Sequence, residues 1–168
     1  MNDSRLSKGD VPAMTDDHRK FLIFSLQGRL YALGLEQIAE VGDPRQLSPI
    51  PKTPACYSGA LNFHGDIVAV INLSVFLDLP GGNRPGKIIV LHQETASLAF
   101  LVDTVFRIVS EGEVTFSPVP EERFAVATLS LPDGEAIQLN IEALVLEAEN
   151  CLMRHQLSIK NTPNKNKP

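Results

Sequence analysis

Cysteine is scarce in this chain of 168 residues, and no apolar run is long enough to cross a bilayer. The two cysteines, Cys56 and Cys151, are far apart in the sequence and form no C-x-x-C motif. They therefore indicate neither a disulfide framework nor a zinc site, and we interpret both as packing residues. The longest apolar candidate, residues 67–77, is shorter than the roughly 20 residues that a spanning helix needs.

A secretory signal is also missing from the beginning of the chain. Residues 1–17 (MNDSRLSKGDVPAMTDD) contain four acidic groups and no apolar core segment. We therefore expect a cytoplasmic protein.

Basic residues are too few and too unevenly placed for nucleic-acid binding. From Asn150 onward the chain has four basic residues and no acidic one, which leaves 11 basic against 20 acidic groups in residues 1–149. A body with this net negative charge repels a phosphate backbone. We expect no nucleic-acid partner.

The usual catalytic and metal-binding motifs are absent as well. No G-x-S-x-G elbow or H-E-x-x-H motif occurs, and the four histidines (His18, His64, His92 and His155) show no paired-ligand spacing. We therefore expect no catalytic residue, no metal site, no cofactor and no enzymatic activity.

One segment partly matches a phosphate-binding loop. Residues 81–87 (GGNRPGK) satisfy G-x-x-x-x-G-K, but Ile88 replaces the Ser or Thr that would hold magnesium. Pro85 lacks one of the amides that would bind phosphate, and KIIVLH after it is typical of a strand, whereas such a loop must begin a helix. A nucleotide-binding enzyme acting through residues 81–87 remains a remote alternative.

The sequence that is present predicts an all-β fold. Apolar runs separated by turn residues indicate hairpins at 20–26 with 30–35, 58–63 with 66–72, 87–92 with 97–102, and 125–131 with 135–141. Residues 35–41 (LEQIAEV) predict a short helical face or a bend, residues 48–54 an extended proline-rich connector, and the segment from Ile141 a terminal helix. We expect residues 1–19 and 158–168 to be disordered tails, the second of them basic, around a folded part at 20–157.

A weak internal repeat divides the folded part into halves. Residues 35–41 resemble residues 102–108 at an offset of 67, and residues 61–73 resemble residues 129–141, with Gly65 aligned to Gly134 at an offset of 69. Two copies at nearly one offset predict two similar β lobes. Small barrels suit such short strands because they remove exposed edges.

Three segments together resemble the CheW-like family of chemotaxis coupling proteins. They are FLIFSLQGRLYALGLEQIAEV (21–41), SPIPKTPACYSGALNFHGDIVAVINLSVFL (48–77) and LAFLVDTVFRIV (98–109). The resemblance implies two small five-stranded SH3-like barrels in pseudo-twofold relation, with short helices including one at the carboxyl terminus. It also implies a non-enzymatic adaptor between the cytoplasmic tip of a methyl-accepting chemoreceptor and a CheA-type histidine kinase, recruited to receptor arrays. Two alternatives stay open: an array that controls pilus motility, and a divergent member that regulates or sequesters another partner.

The resemblance also implies a partner-binding groove between the lobes. Carried over by position, its residues are Leu35, Ile38, Gly59, His64 and Val105. The simpler interpretation is core packing for the three aliphatic residues, a close backbone approach at Gly59 and an exposed turn at His64.

Three residues depart from the family's pattern. His64 replaces the usual arginine, Ala69 the usual proline, and Asn72 the usual aspartate. We expect the fold to tolerate these changes, whereas they bear directly on coupling.

Overall fold

A computed structural model describes residues 19–81, 85–119 and 121–161. The tail predictions for residues 1–18 and 162–168 lie outside the described residues. Arg19, assigned to the amino-terminal tail from the sequence, forms an ion pair with Glu111 at 2.6 Å. Within the described ranges, no helix is both long and apolar enough to cross a membrane.

The described residues form eleven strands, two helices and two short 3-10 turns. The strands are β1 (Lys20–Leu26), β2 (Arg29–Gly34), β3 (Ile38–Gly42), β4 (Tyr57–Phe63), β5 (Asp66–Asn72), β6 (Lys87–Leu91), β7 (Leu98–Val102), β8 (Thr104–Ser110), β9 (Thr115–Ser117), β10 (Ala125–Leu131) and β11 (Gly134–Leu139). The helices are α1 (Leu73–Phe76) and α2 (Ile141–Asn161), and the 3-10 turns are Leu35–Gln37 and Glu111–Glu113. All four predicted hairpins and the terminal helix are present.

The strands form two sheets with the same topology over five strands, and the first sheet has β9 as a sixth strand. The first sheet has the order β8-β1-β2-β11-β10-β9, and the second has the order β3-β6-β7-β5-β4. In each sheet a strand of one hairpin pairs in parallel with a strand of another, β2 with β11 and β5 with β7. The predicted two-lobe, all-β architecture with a carboxyl-terminal helix is confirmed.

The edge strands connect the two lobes. β3 follows β2 in the chain but pairs with β6 in the second sheet, and β8 follows β7 but pairs with β1 in the first sheet. Each lobe therefore contributes one edge strand to the other. The repeated segments 35–41 and 102–108 include most of β3 and β8, so they occupy equivalent edges.

Burial on both faces explains the continuous apolar runs. In β1, Phe21 and Ile23 point into a core enclosed by the first sheet, while Leu22, Phe24 and Leu26 point into a core shared by both sheets. β6 and β7 divide their side chains in the same way between the shared core and a core enclosed by the second sheet. The side-chain period of two places alternate residues in different cores. The shared core also receives Ile141, Leu144 and Ala148 of α2.

Two local predictions needed correction. Residues 35–41 form one 3-10 turn and then strand β3, because Ile38 and the residues after it pair with β6. The terminal helix ends at Asn161, four residues past the predicted end of the folded part. The proline-rich connector pairs with a sheet at the bridge between Ser48 and Ala60, but it is not extended throughout, because residues 51–52 form a turn in which Lys52 has a φ of 59°.

Candidate partner-binding surfaces

The three aliphatic residues assigned to the groove lie on the shared core. Ile38 begins β3 and is 8% exposed, so it is a core residue. Leu35, in the 3-10 turn, and Val105, in β8, are partly buried and pack against the same core. The structure therefore brings these three residues to one core, with Leu35 and Val105 at its rim.

Gly59 is buried in β4 and allows a close backbone approach. Its φ is 144°, and a Cβ built there would lie 2.7 Å from the carbonyl oxygen of Ser48 and 2.9 Å from the Cβ of Leu47. Next to it, Ser48 and Ala60 exchange two backbone hydrogen bonds of 2.8 Å. The connector thus covers the edge of β4, which would otherwise present unpaired backbone groups. Gly59 is required here because it has no Cβ.

His64 is at the exposed tip of the β4–β5 hairpin. His64 and Gly65 form a two-residue loop between the paired residues Phe63 and Asp66, with φ values of 51° and 92°. Positive φ at both loop positions is typical of a type I′ turn, whose twist matches that of the strands. The Gly65 amide donates a 2.9 Å hydrogen bond to Asn62 Oδ1, and the rings of Phe63 and His64 contact edge to face at 4.3 Å. The imidazole is therefore held at a fixed, accessible position.

The carboxylate of Glu40 pairs with Arg45 rather than with His64. Glu40, in β3 at the opposite edge of the second sheet, pairs with Arg45 at 3.1 Å. Among the residues that the structure describes, His64 forms no ion pair. As far as the described residues go, the His64 side chain is accessible to an acidic group on another protein.

β8 has an exposed apolar surface that the sequence analysis did not predict. Phe106 is 53% exposed and Ile108 is 51% exposed, and β8 is an edge strand of the first sheet. A bulge in the pairing with β1 falls at Phe106, because Ile23 pairs with Arg107 and Phe24 with Val105. Exposed and more buried residues alternate along β8 through this bulge, so Thr104, Phe106 and Ile108 share the exposed face.

An ion pair links β8 to the turn between β10 and β11 of the same sheet. Arg107 donates two hydrogen bonds, of 3.1 and 2.7 Å, to the two carboxylate oxygens of Asp133 in the β10–β11 turn. The hydrogen bonding between the two groups lowers the pKa of the Asp133 carboxyl and raises the pKa of the Arg107 guanidinium. A bidentate pair of this kind restricts the orientation of both groups. The Arg107–Asp133 pair therefore stabilises the position of the strand that exposes Phe106 and Ile108.

The other two departures from the family pattern have clear local environments. Ala69 in β5 donates its amide to the carbonyl oxygen of Ser97 at 3.1 Å, a bond that proline could not form. Asn72 caps α1 by accepting a 3.2 Å hydrogen bond from the Val75 amide. Its buried Nδ2 has no hydrogen-bond partner in the described part of the chain. Asn72 is buried in the second lobe, and Ala69 is partly buried.

The segment that resembles a phosphate-binding loop leads into a strand. Residues 82–84 of this segment lie outside the described residues. Lys87 is the first residue of β6, and its Nζ donates a 2.7 Å hydrogen bond to Asp43. No group of three or more potential metal ligands occurs within residues 19–81, 85–119 and 121–161.

Comparison with known proteins agrees with this architecture. Relatives include the chemotaxis protein CheW of Treponema pallidum, 24% identical over 115 residues, which are 65% of this chain and 68% of the relative. The chemotaxis protein CheW of Thermotoga maritima is 26% identical over 132 residues, 75% of this chain and 87% of the relative. The probable chemotaxis protein CheW of Rhizobium etli is 22% identical over 148 residues, 83% and 96% of the two chains.

A solved structure has the same fold. The crystal structure of the scaffolding protein TtCheW from Thermoanaerobacter tengcongensis aligns with a TM-score of 0.65 at 24% identity, covering 76% of this chain and 92% of that one. The family model described as CheW-like domain matches residues 20–149, from β1 into α2. Because this match covers most of the 168 residues and both lobes, the chain belongs to the CheW-like domain family.

Proposed function

We propose that this chain is a non-enzymatic adaptor that couples the cytoplasmic tips of chemoreceptors to a CheA-type histidine kinase in a chemosensory array. The observation that carries the proposal is the family match, which extends through both lobes. The relatives named as chemotaxis proteins support the pathway. On this proposal the protein works in the cytoplasm and is recruited to receptor arrays at the membrane.

The shape of the molecule suits an adaptor, which must hold two partners in a fixed relation. The two sheets exchange edge strands and share one apolar core, so movement of one lobe relative to the other would disrupt strand pairing and core packing. Close-packed cores resist such deformation. A partner bound to one lobe would therefore have a defined position relative to a partner bound to the other.

Two exposed features provide surfaces for these partners. The β4–β5 hairpin presents His64 on its tight turn and the exposed Ile67 in β5, and the β8 edge presents Phe106 and Ile108. Both surfaces are ordered by the chain's own hydrogen bonds, at Asn62 and at Arg107. Pre-ordered surfaces lose less conformational freedom on binding. Leu35 and Val105, at the rim of the shared core, would add apolar contact.

A second candidate function is suggested by the departures at the hairpin. With His64 in place of arginine, the turn offers one-sided hydrogen bonding and a charge that varies with pH. A divergent CheW-like protein that regulates or sequesters a different partner would have the same fold and a changed hairpin tip. A nucleotide-binding enzyme receives little support, because Lys87 lies in a strand and is paired with Asp43.

Co-sedimentation tests the proposal. Vesicles containing a chemoreceptor and the CheA-type kinase of the same organism are mixed with this protein, and the fraction that pellets with both is measured. We expect saturable binding, weakened several-fold by Phe106→Ser. Val126→Ser is the matched control, because Val126 is 49% exposed but lies in β10, which is not an edge strand.

The two candidate functions give different results in this experiment. A well-folded protein that pellets with neither receptor nor kinase would contradict coupling and favour the divergent regulator. Equal loss of binding in the Phe106 and Val126 variants would show that the β8 edge is not the contact surface.

A further inference from the structure

The two cysteines, separated by 95 positions in the sequence, meet in the fold. Cys56 lies directly before β4 and is 7% exposed, while Cys151 is partly exposed on α2. Both line one open cleft of about 300 Å³, together with Val75 and Phe76 of α1. Cys56 belongs to the shared core, and Cys151 packs against that core.

Hydrogen bonds on both sides of this contact hold it in place. The Tyr57 hydroxyl donates a 2.9 Å hydrogen bond to the carbonyl oxygen of Ala148, which is one helical turn before Cys151. The backbone amide of Asn72 donates a 2.8 Å hydrogen bond to the carbonyl oxygen of Cys56. The start of β4 is thus tied to the turn of α2 that carries the second cysteine.

The two thiols differ in their surroundings. Burial, with further contributions from the charge and hydrogen bonding of Cys151, raises the pKa of Cys56 to about 11. Cys56 therefore remains a thiol at neutral pH. Because Cys151 contributes to this pKa through its charge and a hydrogen bond, the two side chains are neighbours. Cys151 is the more accessible of the two and is the one that a small oxidant can reach first.

Two arginines and two acidic residues, Asp78 and Glu147, line the cleft beside the more accessible thiol. Arg123 and Arg154 line the same cleft, and both bind Glu147, at 2.9 and 2.5 Å. The pKa of Arg154 is raised mainly by its hydrogen bond to Glu147, and the charge of Cys151 also contributes. The thiolate is the form of a cysteine that reacts with a peroxide.

We propose that Cys56 and Cys151 form a reversible redox site that closes to an intramolecular disulfide in response to a hydroperoxide. The Cys151 thiolate attacks the peroxide, the O–O bond breaks, and the products are a sulfenic acid on Cys151 and hydroxide, which takes up a proton to form water. The Cys56 sulfur then attacks the Cys151 sulfur and the S–O bond breaks. The departing hydroxide takes the Cys56 proton, so two thiols and one hydrogen peroxide give one disulfide and two molecules of water.

The disulfide would link the second sheet covalently to α2. In reducing compartments, the few disulfides that form are mostly transient and redox-sensing, and a cysteine pair beside an open cleft fits that class. This inference does not depend on coupling to a receptor or kinase. It adds a chemical role to the packing of both cysteines in and against the shared core.

Thiol counting after peroxide treatment tests the proposal on the full chain. The reduced protein is exposed to hydrogen peroxide, free thiols are titrated, and peptides are mapped by mass spectrometry. We expect both thiols to disappear together in a monomer, a crosslinked peptide pair that has lost two hydrogen atoms, and full recovery with dithiothreitol. In Cys56→Ser, a sulfenic acid on Cys151 should accumulate and react with dimedone, whereas in Cys151→Ser the Cys56 thiol should remain reduced.

Three results would overturn the proposal. Both thiols could survive peroxide, Cys151 could proceed to sulfinic acid while Cys56 stays free, or Cys151 could crosslink two chains. The first result would show an unreactive pair. The second and third would show that Cys56 does not resolve the sulfenic acid.

Discussion

Gly59 and His64 lie on the same hairpin and are assigned to the same partner-binding groove, yet their environments are opposite. Gly59 is buried against the connector, and His64 is exposed at the tip. The sequence indicates a need for glycine at one position and a turn at the other. It does not indicate that Ser48, eleven residues earlier, is the group that Gly59 accommodates, because this contact depends on the path of the connector.

Gly59→Ala tests the close backbone approach at the residue scale. A Cβ at Gly59 would collide with the Ser48 carbonyl oxygen and would have to adopt a φ that side chains rarely tolerate. We expect a loss of stability of about 2 kcal/mol, seen as a fall in Tm of roughly 4–8 °C. Gly42→Ala is the control, since nothing lies within 4 Å of its added Cβ, and its Tm should change little. Equal Tm values for the two variants would contradict the account of Gly59.

His64 variants test the contact at the hairpin tip. Arginine remains charged at all physiological pH values and can bind a carboxylate through two hydrogen bonds, whereas the histidine charge depends on pH. We expect His64→Arg to tighten binding to receptor or kinase and to flatten its dependence on pH between about 6 and 8. His64→Ala should weaken binding mainly at the acidic end, by a factor of up to about 5 for an exposed pair.

Titration calorimetry of the unchanged protein, His64→Arg and His64→Ala at about pH 6 and about pH 8 measures these effects. Matching Tm values would show that the turn itself is intact in each variant. If all three bind alike at each pH, His64 is only an exposed turn residue.

At the scale of elements, hairpins were predictable and edges were not. The apolar runs and turn glycines of the four hairpins act over short distances, so local pattern was sufficient. β8 and β9 were not assigned, and residues 35–41 were interpreted as a helical face or bend. Strands β3 and β8 become strands by pairing with β6 and β1, which come from the other half of the chain. No local pattern specifies such a partner.

The contact between β4 and α2 provides a test at this scale. Burial, with smaller contributions from Cys56, Cys151 and Glu149, raises the pKa of Tyr57 to about 12, above the unfolded value of about 10. Because the folded state retains this proton longer, the contribution to stability is fully present below about pH 10 and is lost as the pH rises through about 12. Tyr57→Phe should therefore unfold with a weaker dependence on pH between about 9 and 11.5.

At neutral pH the same variant should lose the hydrogen bond to Ala148. The expected cost is about 1 kcal/mol, or a Tm lower by roughly 2–4 °C. Denaturant titrations of wild type and variant across the pH range measure both effects. Parallel pH curves for the two proteins would show that Tyr57 does not contribute to the alkaline loss of stability.

At the scale of the whole molecule, the repeat in the sequence predicted two lobes, and the structure adds how they are joined. The offset between repeats corresponds to equivalent strands, such as β1 with β6 and β5 with β11. The exchange of edge strands and the parallel pairs between hairpins involve residues far apart in the chain, so periodicity alone could not reveal them. The same limit applies to Cys56 and Cys151, which a linear sequence presents as unrelated.

Kinase activity in a reconstituted array is the most direct test of coupling. Autophosphorylation of the CheA-type kinase is measured on receptor-containing vesicles with and without this protein, and again after the receptor's ligand is added. We expect the protein to raise kinase activity several-fold and to make this activity respond to the ligand. Binding of this protein to both partners with kinase activity that does not change, or does not respond to the ligand, would contradict it.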